Sequence, residues 1–253
     1  ESVQRCLCEG PHMASRLVDL GCPPGKARVQ RLGIDLDRLP FRPREAPAEG
    51  PLRVLIVGSF REKKGIPDAL AALGLLRGAG VPIEITVIGD AGSLPRALRE
   101  KARILDAIRR HQLGPVTRLL GYQPYPVVIQ EAYEHHVFLS PSVTASDGDT
   151  EGGAPVTILE LAATGMPVVT TDHCDIPYVL GGLDGGAWFA AEGAPEELAG
   201  HLRWLVSNPG AWEERLLRVR RHLDEHYDRD AVGAQLLEQY EQVIDSARCG
   251  GPP

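Results

Sequence analysis

Two acids frame the stretch Glu151-Gly152-Gly153-Ala154-Pro155-Val156-Thr157-Ile158-Leu159-Glu160. Glu160 interrupts an otherwise uncharged run from Pro155 to Ala163. A lone carboxylate in apolar surroundings is expensive, so its position calls for a partner. Glu151 ends a loop of small polar residues that begins at Ser140. Pro155 suits the first turn of a helix, where its missing N–H is no loss. Gly165 and Pro167 stop that helix. Apolar runs at Val137–Leu139 and Val168–Thr171 read as strands on either side. The unit is strand, loop, helix, strand, with the loop at the carboxyl end of a strand, where open α/β sheets bind ligands.

A second candidate follows an earlier strand: Val57-Gly58-Ser59-Phe60-Arg61-Glu62-Lys63-Lys64-Gly65. Glycine at a strand end admits a ligand close to the backbone, and the helix start beyond it favours anions. Lys64 is placed to add a charge-assisted contact to phosphate. A solvated Arg/Lys cluster on a surface loop is the other reading of the same residues. The spacing is neither a P-loop nor GxGxxG, so an NTPase or classical dinucleotide site is not indicated. Gly89-Asp90-Ala91-Gly92 and Gly121-Tyr122 read as turns at strand ends. Asp147-Gly148-Asp149, with Glu151 after it, has a metal-like look. No histidine joins these acids and the EF-hand pattern is missing, so solvated turn residues are expected and no metal. His135-His136 are expected at the edge of the next strand. With no HExxH and no GxSxG, no self-contained hydrolytic constellation is present.

These loops need a scaffold, and the pattern from Leu52 onward supplies one. Strands are expected at Leu52–Val57, Pro82–Ile88, Val116–Leu120, Val137–Leu139, Val168–Thr171 and Ala187–Ala190. Helices are expected at Ile66–Arg77 (amphipathic), Leu94–His111, Tyr125–Glu134, Pro155 to about Thr164, Pro195–Val206, Ala211–Tyr227 and Ala231–Ala247, with a short turn at Ile176–Leu180. Alternating strands and helices mean an α/β fold: a Rossmann-like parallel sheet with helices on both faces. Residues 1–50 do not make a domain. They offer a short strand at Gln4–Cys8, a helix at His12–Leu20, a strand at Arg28–Gly33 and a proline-rich linker at Pro40–Gly50. The division expected is 1–50 as remnant and linker, 51–229 as the Rossmann-like domain, and 230–253 as a C-terminal helix and tail.

The 253 residues suffice for one or two domains. A formal net charge of −7 and 5% aromatic residues give no reason to expect nucleic acid or an anionic membrane as partner. The five cysteines are sparse and odd in number, which suits free thiols in a reducing compartment. Cys6 and Cys8 as half of a zinc site is disfavoured because no second pair follows. No apolar run approaches the ~20 residues of a membrane span, and no signal-peptide pattern opens the chain. A cytoplasmic protein is expected. The chain begins with Glu1, as a processed or truncated end would.

Taken together, Ser140-Pro141-Ser142, Glu151 to Pro155, Glu160-Leu161-Ala162 and Gly165 to Thr171 resemble the signature of group 1 (family 4) glycosyltransferases, most closely the exopolysaccharide and colanic-acid branch. Gly58 to Gly65 is similar to that family's phosphate loop, Leu20 to Pro24 with Gly33-Ile34-Asp35 to its interdomain segment, and Asn208-Pro209 with the last helices to its C-terminus. The resemblance implies a GT-B fold, of which this chain is the C-terminal, donor-binding half. It implies retaining transfer of a hexosyl unit from a UDP- or GDP-sugar to a glycan or lipid-linked acceptor. The nucleotide-sugar is a co-substrate, and no cofactor or metal is implied. It further implies that Glu160 accepts hydrogen bonds from ribose hydroxyls. Glu151 contacts the donor sugar, the amides of Gly152, Gly153 and Ala154 face sugar or diphosphate, and Lys64 neutralises the leaving diphosphate. Gly58, Ser59 and Arg61 complete the donor loop.

Three departures stand out. Eight residues separate the glutamates where the family has seven, so Glu151 points differently or a bulge at Gly152-Gly153 absorbs the extra residue. Ser59 replaces an arginine, leaving Arg61 as the candidate to reach phosphate. Tyr178 replaces a glutamate. The full-length enzyme would be cytoplasmic or peripheral at the inner membrane face. A non-catalytic nucleotide-sugar-binding module working with a partner chain, and a nucleotide-sugar epimerase, are the rival readings.

Overall fold

The computed structural model describes residues 3–249. Strand β1 (Cys6–Cys8), helix α1 (Pro11–Asp19) and strand β2 (Ala27–Val29) come first, with β1 and β2 paired in parallel. A main sheet follows: β3 (Leu52–Val57), α2 (Ile66–Gly78), β4 (Ile83–Ile88), α3 (Pro95–Arg110), β5 (Thr117–Gly121), α4 (Tyr125–Glu134), β6 (Val137–Ser140), α5 (Val156–Ala163), β7 (Val168–Thr171), α6 (Ile176–Val179), β8 (Trp188–Ala190), α7 (Pro195–Ser207), α8 (Trp212–His226) and α9 (Arg229–Cys249). Its strand order is β5-β4-β3-β6-β7-β8, and every pairing is parallel.

Period-two alternation divides the core between the two faces. Leu52, Val54 and Ile56 of β3 join α2, α3 and α7 in one cluster, whereas Leu55 joins α4, α5, Val219 and Leu223 of α8, and the segment Ile34–Leu39 in the other. Helix α2 is less amphipathic than its sequence suggests. Six of its residues, Ile66, Ala69, Leu70, Ala72, Leu73 and Leu76, are buried because it packs on the sheet with α3 and α7 against it. The strand order places the site-bearing loops. Chain direction across the sheet reverses between β3 and β6, and the loops that leave the carboxyl ends of those two strands flank that crevice.

The proline-rich linker carries no helix or strand from Pro40 to Gly50, yet it is fastened. Arg42 N–H donates to Thr164 O (2.9 Å) and Arg44 N–H to Gly165 O (2.9 Å). The buried Arg44 guanidinium donates to the carbonyls of Ala132 (2.8 Å), Thr164 (3.1 Å) and His135 (3.2 Å). Burial lowers its pKa to about 10. Gly165 has φ of +87°, and a Cβ there would stand 2.7 Å from the Arg42 carbonyl, so both the helix end and the linker require glycine. Upstream, Ile34 N–H donates to Tyr227 O (2.8 Å) and Arg229 N–H to Ile34 O (3.1 Å), tying the linker to the α8–α9 junction.

Two local expectations are corrected. Pro155 is the residue before the helix, with ψ of 128°, and Val156 is the first helical residue. His135 and His136 are buried rather than at a strand edge. Arg53 N–H donates to His136 Nδ1 (3.0 Å), and His135 Nε2 meets Thr86 Oγ1 (2.9 Å).

Candidate functional site

The loop after β3 holds its lysines through close backbone packing. The Lys64 stem runs beside Gly58, within ordinary van der Waals distance (3.5 Å) of where a Cβ would stand. Gly65 has φ of +59°, and a Cβ there would lie 1.8 Å from Pro141 O. The two loops therefore meet backbone to backbone at a point where only glycine fits. Val143 N–H donates to Lys63 O (2.9 Å), joining them again. Phe60 turns inward, 3% exposed, and its N–H donates to Asp90 O (2.9 Å). Ser59 accepts the Arg61 N–H at its carbonyl (2.8 Å). Gly89 and Gly121 do more than turn. Gly89 N–H donates to Gly121 O (2.8 Å), and a Cβ on Gly89 would lie 1.9 Å from Gly58 O.

The loop after β6 is fixed from below by β7. Thr170 Oγ1 donates to Ser140 O (2.7 Å) and Thr171 Oγ1 to Ser142 O (2.5 Å). Glu151 is brought against the lysines: its side chain is 6% exposed, with Lys64 Nζ at 2.9 Å and Lys63 Nζ at 3.7 Å. Ser142 Oγ donates to Glu151 Oε1 (3.0 Å). Between the glutamates the backbone turns at Gly152, where φ is +75°. Gly152 N–H donates to Thr150 Oγ1 (3.1 Å) and Gly153 O accepts from Asp175 N–H (3.1 Å). Among the described residues the Gly153 and Ala154 amides have no partner. Gly153 is also closely approached from the N-terminal unit. A Cβ there would fall 2.3 Å from Glu9 Oε2.

Arg61 does not join Lys64. It pairs with Asp149 (2.5 Å) and lines a cavity of about 260 Å³ with Arg96, Arg99, Arg103, Glu100 and Asp147. Lys63 Nζ, adjacent in sequence and overlooked there, donates to Thr150 O (2.6 Å) and pairs with Asp149 (3.4 Å). The three cations of the β3 loop are thus each held by an acid of the β6 loop.

Glu160 stands on α5, half-buried. Burial pushes its carboxyl above the usual carboxylate range, and the Tyr125 hydroxyl, which faces it from the start of α4, draws it partly back. Tyr125 is itself pushed up to about 12, by burial first and then by the charge of Glu160. The carboxylate that the sequence marks as needing a partner thus faces the Tyr125 hydroxyl.

A further group lay outside the sequence reading. His173, 2% exposed, meets Glu192 through Nδ1 (2.5 Å), while its Nε2 accepts the Glu151 N–H (3.2 Å) and lies 3.2 Å from Cys174 Sγ. Glu192 also accepts the Thr144 N–H (2.7 Å). Asp175, 1% exposed, accepts the N–H groups of His12 (2.8 Å) and Met13 (3.2 Å), fastening the start of α1 to this corner. These residues sit in the loops after β7 and β8, so strand-end position was the signal that could have found them.

Lys64 and the amides after Gly152 can meet an anion, and Glu160 on α5 can meet a hydroxyl-bearing group. The comparisons with known proteins agree on one family. The family model described as glycosyl transferases group 1 matches residues 37–222. The chain is 33% identical over 228 residues, 90% of its length, to the amylovoran biosynthesis glycosyltransferase AmsK of Erwinia amylovora. It is 34% identical over 231 residues, 91% of its length, to the putative colanic acid biosynthesis glycosyltransferase WcaL of Salmonella typhimurium. It spans 54% of the length of each. Among solved structures, HepE of Anabaena in complex with UDP and glucose superposes with a TM-score of 0.81 at 14% identity, over 94% of this chain and 63% of that one. The Rossmann-like sheet is shared with these GT-B glycosyltransferases.

Proposed function

The chain belongs to the group 1 glycosyl transferases, and from that premise we propose that it is the donor-binding half of a retaining enzyme. That enzyme transfers a hexosyl unit from a UDP- or GDP-sugar to a glycan or lipid-linked acceptor in the cytoplasm. The observation that carries the reading is Glu160: a half-buried carboxylate on α5 that faces the Tyr125 hydroxyl. A ribose diol offers two donors to it. Lys64 neutralises the diphosphate as it leaves, exchanging the Glu151 carboxylate for phosphate oxygens. Glu151, released, turns to the donor sugar, while the Gly153 and Ala154 amides meet the sugar or diphosphate. The UDP and glucose held by the HepE structure support a nucleotide-sugar as ligand. Residues 51–229 form the donor domain, 1–50 belong to the acceptor side and linker, and 230–253 form the C-terminal helix and tail.

Calorimetry of the purified chain against UDP, GDP, ADP and their glucose or mannose conjugates tests this. Saturable binding of one uridine or guanosine diphosphate series is expected. No binding of any of them at millimolar concentration overturns the reading.

A further inference from the structure

Cys174, His173 and Glu192 make a connected relay that the donor reading does not use. Glu192 Oε1 lies 2.5 Å from His173 Nδ1, which fixes the ring with Nδ1 protonated and Nε2 as the lone-pair nitrogen. Nε2 then faces two donors at once, the Glu151 N–H at 3.2 Å and the Cys174 thiol at 3.2 Å. Cys174 has φ of +50°, a conformation that non-glycine residues rarely adopt. The chain accepts it where the thiol meets the imidazole. Cys174 as a whole is half-buried, not sealed in the core. Burial pushes it up, but the hydrogen bond and charge of His173, together with Thr150 Oγ1 and the Gly152 amide, outweigh burial and bring it below its ordinary value. His173 moves the opposite way: burial lowers it, and Cys174 and Glu192 more than offset that. A Cys–His–carboxylate arrangement is how thiols are activated as nucleophiles.

We propose that Cys174 is a modification site: its His173-activated thiol undergoes exchange with small disulfides, and the adduct unseats the Glu151 loop. The thiol proton passes to His173 Nε2. The thiolate attacks one sulfur of the incoming disulfide, whose S–S bond breaks as the Cys174 Sγ–S bond forms. The Cys174 sulfur is oxidised, the departing half is reduced, and the departing thiolate takes the proton back from Nε2–H or from solvent. The consequence follows from crowding: an adduct on Sγ is built 3.2 Å from the Nε2 that accepts the Glu151 N–H, and it pushes the imidazole and the Glu151 backbone apart. Glu151 then loses its place against Lys64. The exchange itself is independent of the donor reading; only its effect on ligand binding rests on it.

The test treats the whole chain with glutathione disulfide or dithiodipyridine and maps the five cysteines by peptide mass spectrometry. Cys174 is expected to react at least about tenfold faster than Cys6 and Cys22 near neutral pH. His173→Gln is expected to remove that advantage, and hydrogen exchange at residues 149–155 to rise on modification of the native chain but not of Cys174→Ser. Should His173→Gln fail to fold, Glu192→Gln carries the same arm, with Cys174 slowed toward the other cysteines. Equal rates for all the cysteines, or a Cys174 rate unchanged in the folded variants, overturn the proposal. If the adduct forms and the loop loosens but the unmodified chain binds no nucleotide, the donor reading fails and the modification site stands.

Discussion

Replacing Glu160 by alanine removes the carboxylate on which the donor reading rests, and the chain is expected to lose about 1–3 kcal/mol of nucleoside diphosphate affinity. Calorimetry on the folded variant measures it, and unchanged affinity discards the ribose assignment. The raised pKa of Glu160 adds a direction. Accepting two hydroxyl hydrogen bonds needs the ionised form, so affinity for the bare nucleoside, which lacks titrating phosphates, should fall as pH drops through a value above that of an ordinary glutamate. Glu160→Gln should bind more weakly but without that pH limb. Glu160, Lys64 and Glu151 were legible in the sequence because a charge in an apolar helix, or at a strand end, is anomalous by itself. His173, Cys174 and Glu192 were not, because the loops after β7 and β8 meet only in three dimensions and no local spacing records it. The Arg61–Asp149 pair was not legible for the same reason, since nothing near Arg61 in sequence foretells that acid.

At the scale of elements, the strands and helices of the main sheet were readable because hydrophobic period and strand-end glycines are local signals. Burial from both sides is not local. Helix α2 and the His135-His136 pair were read as half-exposed because their cover comes from α7 and from β3 and β4, distant in sequence. The linker hides the largest such contact. Arg44→Met should leave the carbonyls of Ala132, His135 and Thr164 without their donor, destabilising the chain by about 3 kcal/mol or more in urea unfolding. Gly165→Ala should destabilise by about 2 kcal/mol or more, from its left-handed φ and the Arg42 backbone against its Cβ. A loss below about 0.5 kcal/mol in either variant would show that the linker does not fasten α5. His136 gives the acid limit of the same elements. Burial holds its pKa down to about 4, against an ordinary 6.5. Between those values the unfolded chain binds the proton and the native one does not. Stability is therefore full above about pH 6.5 and falls by about 3 kcal/mol as pH drops toward 4. Thermal melts across that range should show the loss, and His136→Gln should flatten it.

Across the whole molecule, the N-terminal unit packs against the loops that follow β6 and β7. Asp175 fastens the start of α1, and Glu9 closes on Gly153. The small β1–β2 sheet with α1 offers little surface to hold an acceptor glycan, and the chain spans about half the length of its relatives AmsK and WcaL. Group transfer requires the acceptor oxygen to be held in line with the donor carbon, and most of the rate advantage of a transferase lies in that alignment. The expected result is separation of the two tasks: the chain alone binds a nucleotide-sugar but transfers it to a polysaccharide acceptor about a thousandfold or more slowly than an enzyme that also positions the acceptor. Product analysis with a radiolabelled donor measures this, using the panel member that calorimetry selects. Robust transfer by the purified chain would mean that residues 1–50 and the crevice already hold the acceptor. Recovery of transfer on adding a separate acceptor-domain chain would place the missing alignment in that partner.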